Sequence, residues 1–179
     1  LKGDFDLIVE KNKKPAQAYN EIIDKSKNKY IVFLHADITF SSNFITNINK
    51  SIDRQPHFGA MSCSGVIRTI FGKIKLITSE FKKQKEILTT DSCCLVINKE
   101  HNLFFDSEKF DEYHMYVEDY CMQVRKNLGL KIYTILTDWI WVENYYEYFE
   151  KYPNSKNWFI HHSHTFTKEG SRWGNWEFY

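Results

Sequence analysis

Polar and apolar positions along this chain follow two rhythms. From Pro15 to Lys25 (PAQAYNEIIDK) the apolar residues Ala16, Tyr19, Ile22 and Ile23 recur at helical spacing. Proline opens that segment, where its missing N–H has no intrahelical partner to lose. The next run, Tyr30 to Leu34 (YIVFL), has no polar alternation and is rich in β-branched and aromatic types, which predicts a strand buried on both faces, as in a parallel sheet. It stops at His35-Ala36-Asp37. Helical spacing returns from Asn43 to Ile52 through Phe44, Ile48 and Ile52. The pattern then predicts a strand over Phe58 to Ile67, a polar lysine-rich stretch from Lys73 to Lys85, and a buried strand over Thr90 to Ile97. A helix from Asp119 to Leu128, stopped by Gly129, and a strand from Lys131 to Leu136 follow. A short strand, Asp6 to Glu10 (DLIVE), precedes all of these. Strands and helices alternating at this spacing predict an α/β fold with a mostly parallel central sheet.

Length and charge narrow the class. With 179 residues the chain makes one domain with a substantial core, and no Pro/Gly-rich linker or repeat divides it, so residues 1–179 are read as a single unit. The 24 Lys and Arg nearly balance the 23 Asp and Glu, so no net field gathers nucleic acid or an acidic membrane, and any binding is local. Four cysteines, at 63, 93, 94 and 121, lack CxxC spacing and fit a reducing, cytoplasmic setting. No apolar run reaches the roughly 18 residues of a membrane span, and the first residues lack a signal-peptide core. A soluble protein follows, with a peripheral seat at the inner face of a membrane still compatible. Aromatic residues make up 17% of the chain, and many fall between Trp139 and Tyr179, where a segment that completes or covers a site is expected.

Four places carry candidate chemistry. In open α/β sheets ligands sit beyond the carboxyl ends of strands, so Asp37 is placed to hold a metal or a polar substrate. Its alternative role is to cap the turn into the helix announced by Ser41, Ser42 and Asn43. Thr90-Asp91-Ser92 stands just before an apolar run. Phe110-Asp111-Glu112 and then Glu118-Asp119 place acids at the mouth of a helix, where the dipole alone favours them, although paired carboxylates also make a general base. Finally, His161-His162-Ser163-His164 follows Trp158-Phe159-Ile160; in a strand His162 and His164 share a face and His161 does not. One histidine assisting carboxylates to hold Mn²⁺ or Mg²⁺ fits this set better than structural zinc, which wants three or four N/S ligands.

In order, these segments resemble a known family. NKKPAQAYNEIIDKSKNKYIVFLHADITF resembles the first block of inverting GT-A glycosyltransferases of the large family two, a helix carrying an Asn that leads into an apolar strand ending in a DXD-type motif. TTDSCCLVINKE resembles the family's acceptor-side strand, and FDEYHMYVEDYCMQVRKNLGLKIYTI resembles its block of FDE, then GED, then a helix and G-x-K-I. The three blocks cover roughly Leu7 to Leu136.

The resemblance implies a GT-A, Rossmann-like three-layer sandwich with a mostly parallel central sheet. Its activity would be transfer of a sugar from a nucleotide-diphosphate donor to a glycan or lipid-linked acceptor. It gives Asp37 the role of metal ligand and Asp119 that of catalytic base, with Glu118 beside it orienting the acceptor. Asp91 and His35 would line the donor or acceptor pocket, and Asn20, the family's helix asparagine, would also serve donor or acceptor binding. Glu10 and Asn12 stand near the family's nucleotide contacts. His161 or His162 would join the metal or diphosphate, and Arg172 would supply a phosphate contact. Two departures accompany it. His35 stands where the motif usually has its first carboxylate, an HAD variant whose neutral imidazole brings no charge to a cation. The family's usual first strand also has no room ahead of Asp6 to Glu10, so a fragment or a shortened member is expected. The competing readings are a family-like binding protein without turnover and a metal-dependent hydrolase built on His161 to His164.

Overall fold

The structure is a computed structural model that describes residues 5–35, 40–77, 82–90, 92–110 and 115–136. Asp37, Asp91, Asp111, Glu112, His161, His162, His164 and Arg172 lie outside the described residues. Helix α1 (Pro15–Lys25) and strand β1 (Tyr30–Leu34) fall where the spacing predicts. Helix α2 covers Phe44–Arg54, and α3 covers Tyr116–Leu128, opening earlier than its apolar spacing indicates. Gly129, left-handed at φ 65°, ends α3 and turns the chain into β7 (Lys131–Thr134).

The run Phe58 to Ile67 is not one strand. It breaks at Cys63-Ser64 into β2 (Phe58–Ser62) and β3 (Gly65–Arg68), which belong to different sheets. The lysine-rich stretch holds β4 (Ile74–Ile77), paired antiparallel with β3, and the two-residue β5 (Glu86–Ile87) follows it. Strand β6 (Cys94–Asn98) starts later than expected. The segment Asp6 to Glu10 forms no strand. No ladder partner lies beside it among the described residues, Leu7 and Val9 are 76% and 66% exposed, and β-propensity without a partner does not make a strand.

The main sheet has the order β1-β6-β2-β7-β5. Among the described residues only β2 and β7 pair in parallel; β1 with β6, β6 with β2, and β5 with β7 are antiparallel. The sheet is therefore mixed, which corrects the expectation of a mostly parallel one. The cause lies between β2 and β6. Among the described residues no helix carries the chain back across the sheet there; the β3–β4 hairpin and β5 intervene, and the chain re-enters at Cys94, opposite the last residue of β1, Leu34. From that edge β6 can only run backwards. β1 is an outer strand of this sheet, which also corrects the expectation of full burial on both faces. Ile31 and Phe33 point into one core, whereas Tyr30, Val32 and Leu34 are only partly covered on the other side.

Helices cover both faces, giving three layers. On one face Ile23 of α1 and Val117, Tyr120, Cys121 and Val124 of α3 pack on Phe33, Ala60, Leu95, Ile97 and Ile132. On the other, Phe44, Ile48 and Ile52 of α2 pack on Phe58, Met61, Val96 and Ile135. Gly59 sets the height of α3 over β2: a Cβ there would lie 2.1 Å from Val124 Cγ1 and 3.0 Å from Leu130 Cβ. Only a residue without a side chain lets the helix rest directly on the strand.

Candidate active site at the carboxyl edge of the sheet

Strands β1, β2 and β7 run the same way and end at one edge, where β6 begins. Helix α1 returns into β1 through the short link Ser26 to Lys29, so its first turn, with Glu10 and Asn12 ahead of it, lies toward that edge. α3 likewise returns into β7 through Gly129 and Leu130, which brings Glu118 and Asp119 in its first turn to the same edge. The topology thus gathers segments that are far apart in sequence.

Two of the predicted motifs are fastened together directly. The His35 N–H donates to the Cys93 carbonyl at 3.1 Å, continuing the β1–β6 ladder one step past Leu34. This bond sets the start of the HAD motif beside Ser92-Cys93, the segment that follows Asp91. The edge is further anchored on the β2 side: the Thr90 hydroxyl donates to the Ser64 carbonyl at 2.9 Å and contacts Ser62 Oγ at 2.5 Å.

Beneath the edge lies a cluster of rings. Tyr19 of α1 stacks on Phe33 of β1, with centroids 4.0 Å apart and planes 9° from parallel, and meets Phe105 and Tyr116 edge-on at 5.3 and 5.5 Å. Tyr120 stacks on Phe105 at 4.6 Å. Such offset and edge contacts hold ring positions more narrowly than aliphatic packing does. The Tyr116 hydroxyl is buried beside Ser92 and Tyr19 without completing a hydrogen bond in good geometry among the described residues. Burial pushes the phenols of Tyr19, Tyr116 and Tyr120 above the ordinary range, and Tyr116 adds to the effect on Tyr19. These phenols stay protonated at neutral pH and act as a neutral floor rather than as bases. Burial also pushes the Cys121 thiol up to about 12, which removes it as a nucleophile.

Asp119 is half-buried, its N–H donates to the Met115 carbonyl at 2.9 Å, and its carboxylate accepts a 2.7 Å hydrogen bond from Gln123 Nε2 one turn on. That partner is legible in the sequence as an i, i+4 pair. Met115, immediately before the helix, is left-handed at φ 69°. For a long side chain this is an outlier of the kind that collects at functional sites. Glu118 and Asp119 are successive helix residues and so diverge around the axis instead of facing one another. The negative charge of Glu118 is felt by Tyr116, whose phenol it helps keep protonated.

Two of the remaining predicted residues, Asn20 and Glu10, have definite partners. Asn20 clamps a distant loop: its Nδ2 donates to the Phe105 carbonyl and its Oδ1 accepts from the Phe105 N–H, both at 2.8 Å. Both ends of that amide are therefore engaged by backbone. Glu10 pairs with Lys13 at 3.1 Å, and Lys13 also pairs with Glu21 at 2.6 Å. Asn12 is left-handed at φ 58°, a conformation asparagine tolerates. Among the described residues no three His, Cys, Asp or Glu side chains converge as a metal centre would require, and none of the helices is long and apolar enough to cross a membrane.

The family model for glycosyl transferase family 2 matches residues 3–113 of the 179. The chain belongs to glycosyl transferase family 2. Its mixed α/β sandwich, with helices on both faces of the sheet, is consistent with a GT-A-like fold, and the family works on a nucleotide-sugar donor and an acceptor. No curated protein matches the chain. The family match takes in α1, β1, the HAD motif and β6, and it ends ahead of α3. Asp119 thus rests on its motif and on its place at the edge, not on the family match.

Proposed function

We propose that this family-two domain transfers a sugar from a nucleotide-diphosphate sugar to a hydroxyl of a glycan or lipid-linked acceptor, with inversion at the anomeric carbon. The observation that carries the reading is the convergence of His35, the Ser92-Cys93 segment and the acidic first turn of α3 at one sheet edge, within a family-two fold. Asp119 is the base: it takes the proton of the attacking hydroxyl from the face opposite the nucleotide. Gln123 holds one of its carboxylate oxygens and leaves the other for the acceptor. By the family resemblance, Asp91 and His35 would line the donor pocket, Glu10 and Asn12 would serve the nucleotide, and Arg172 would supply a phosphate contact.

A carboxylate from Asp37, an imidazole from His161 or His162 and the donor's own phosphate oxygens would together make a largely oxygen set suited to Mn²⁺ or Mg²⁺. When bound, such an ion offsets the charge that gathers on the departing nucleoside diphosphate. The four cysteines, all free of disulfides, support a cytoplasmic setting.

A panel of nucleotide sugars with Mn²⁺ tests the reading, first by thermal shift and then by transfer. Asp119→Asn is expected to abolish transfer while donor-dependent stabilisation persists, because the base acts on the acceptor. Unchanged turnover in that variant refutes the assignment. His35, in the place of a carboxylate, favours a second reading, a domain that binds donor without turnover; measured transfer by the unmodified protein excludes it.

A further inference from the structure

We propose that the β3–β4 hairpin is a membrane-docking element that inserts Ile70 and Phe71 into an anionic lipid surface. The hairpin is rigid where it joins the domain. Val66 and Ile77 are buried, the Val66 N–H donates to the Thr89 carbonyl at 2.9 Å, and the Leu88 N–H donates to the Val66 carbonyl at 2.7 Å. Gly65 presses so closely on β5 that a Cβ there would lie 2.4 Å from Ile87 Cδ1 and 2.9 Å from the Thr89 carbonyl oxygen.

The far end is equally well formed. The Thr69 N–H donates to the Lys73 carbonyl at 2.8 Å, the Gly72 N–H donates to the Thr69 carbonyl at 2.9 Å, and Gly72 takes the left-handed conformation at φ 75° that closes a three-residue hairpin loop. The apex of such a loop ordinarily carries Asn, Asp, Ser or Gly. Here it carries Ile70 and Phe71, 94% and 83% exposed, with Ile74 beside them 50% exposed. An ordered turn that holds two large apolar side chains out in water offers them to an apolar phase.

Charge selects the phase. Residues 65–77 include Arg68, Lys73 and Lys75 and no acidic residue, and Lys82 and Lys83 are exposed shortly after. Apolar side chains at the tip with cations behind them match the order of acyl chains and anionic headgroups. A protein partner or a second copy fits less well, since a stable interface takes about 800 Å² from each side and a narrow hairpin tip offers three apolar side chains. The hairpin leaves the domain at Gly65, just past the end of β2, on the side of the candidate active site. On the transferase reading, docking therefore turns that edge toward the bilayer, where a lipid-linked acceptor would present its hydroxyl.

Flotation of the full chain with vesicles tests the docking without any sugar transfer. Vesicles of phosphatidylcholine alone are compared with vesicles that also contain phosphatidylglycerol, for the unmodified protein, Ile70→Ser/Phe71→Ser and Lys73→Glu/Lys75→Glu. Circular dichroism melts confirm that the variants fold. Binding is expected only with the anionic lipid, weakened roughly 10- to 100-fold by either double substitution. Absence of binding by the unmodified protein overturns the proposal, and so does binding indifferent to both pairs of substitutions. Self-association abolished by Ile70→Ser/Phe71→Ser, without vesicle binding, also overturns it and assigns the tip to a second copy.

Discussion

Replacing Asn20 probes how the site is held. The Asn20 amide makes paired 2.8 Å hydrogen bonds with the backbone N–H and carbonyl of Phe105, a residue only 3% exposed, across a sequence separation of 85. Alanine removes both bonds, each worth about 1 kcal/mol net, and strands two backbone groups at a cost of about 1–3 kcal/mol apiece when buried. Asn20 is itself half-buried, so water recovers part of that penalty, and a loss of about 2–4 kcal/mol follows. In a domain of this size that lowers Tm by about 5–15 °C. Asn20→Asp is the sharper probe. Its carboxylate still accepts from the Phe105 N–H, yet sets a second charged oxygen against the Phe105 carbonyl, and protonation converts that oxygen into a donor. The folded state of this variant therefore holds its proton more tightly than the unfolded chain does, so its stability relative to the unmodified protein rises as pH falls. Denaturant unfolding of all three proteins at several pH values without ligand is the assay. An alanine variant within about 0.5 kcal/mol of the unmodified protein, or an aspartate variant whose deficit does not change with pH, refutes the clamp.

Gly59→Ala places a methyl group 2.1 Å from Val124 Cγ1 and is expected to cost about 1–3 kcal/mol by lifting α3 from β2. Adding Val124→Ala should return part of the loss, and strict additivity in the double-mutant cycle counts against direct packing. Burial holds His101 below its ordinary value of about 6.5, with the charge of Glu100 opposing. The folded protein then binds that proton less readily than the unfolded chain, so stability falls as pH drops through the ordinary histidine range. His101→Phe should flatten this part of the stability–pH curve, and an unchanged slope refutes the assignment.

The local patterns in the sequence were enough for α1, β1, α2, α3 and β7, because each is a run of side chains that buries one face or both, and that periodicity is written in consecutive residues. The order of the motifs was enough to point to the family. Pairing was beyond local reading. A strand's pattern gives its faces but not its direction, so β6 running against β1 and β2 follows only from where the β3–β4 hairpin and β5 return the chain. The same holds for the site. The composition of the His35-Ala36-Asp37 and Asp91-Ser92 segments marked them as chemical, but their neighbourhood exists through the bond from the His35 N–H to the Cys93 carbonyl.

The clamp made by Asn20 was not legible in the sequence, because a short polar side chain on an amphipathic helix gives no sign of a backbone partner 85 residues away. Gly59 gave no signal at all, since its role is the space it leaves for Val124. DLIVE has the β-prone composition of a strand and forms none, because a ladder needs a neighbour and the sequence cannot say whether one arrives. Sequence by itself determined which segments bury apolar surface and which carry reactive groups, both properties of short stretches. Tertiary structure alone decided which of those segments meet, because hydrogen-bonded pairing and close packing are relations between residues that the chain keeps far apart.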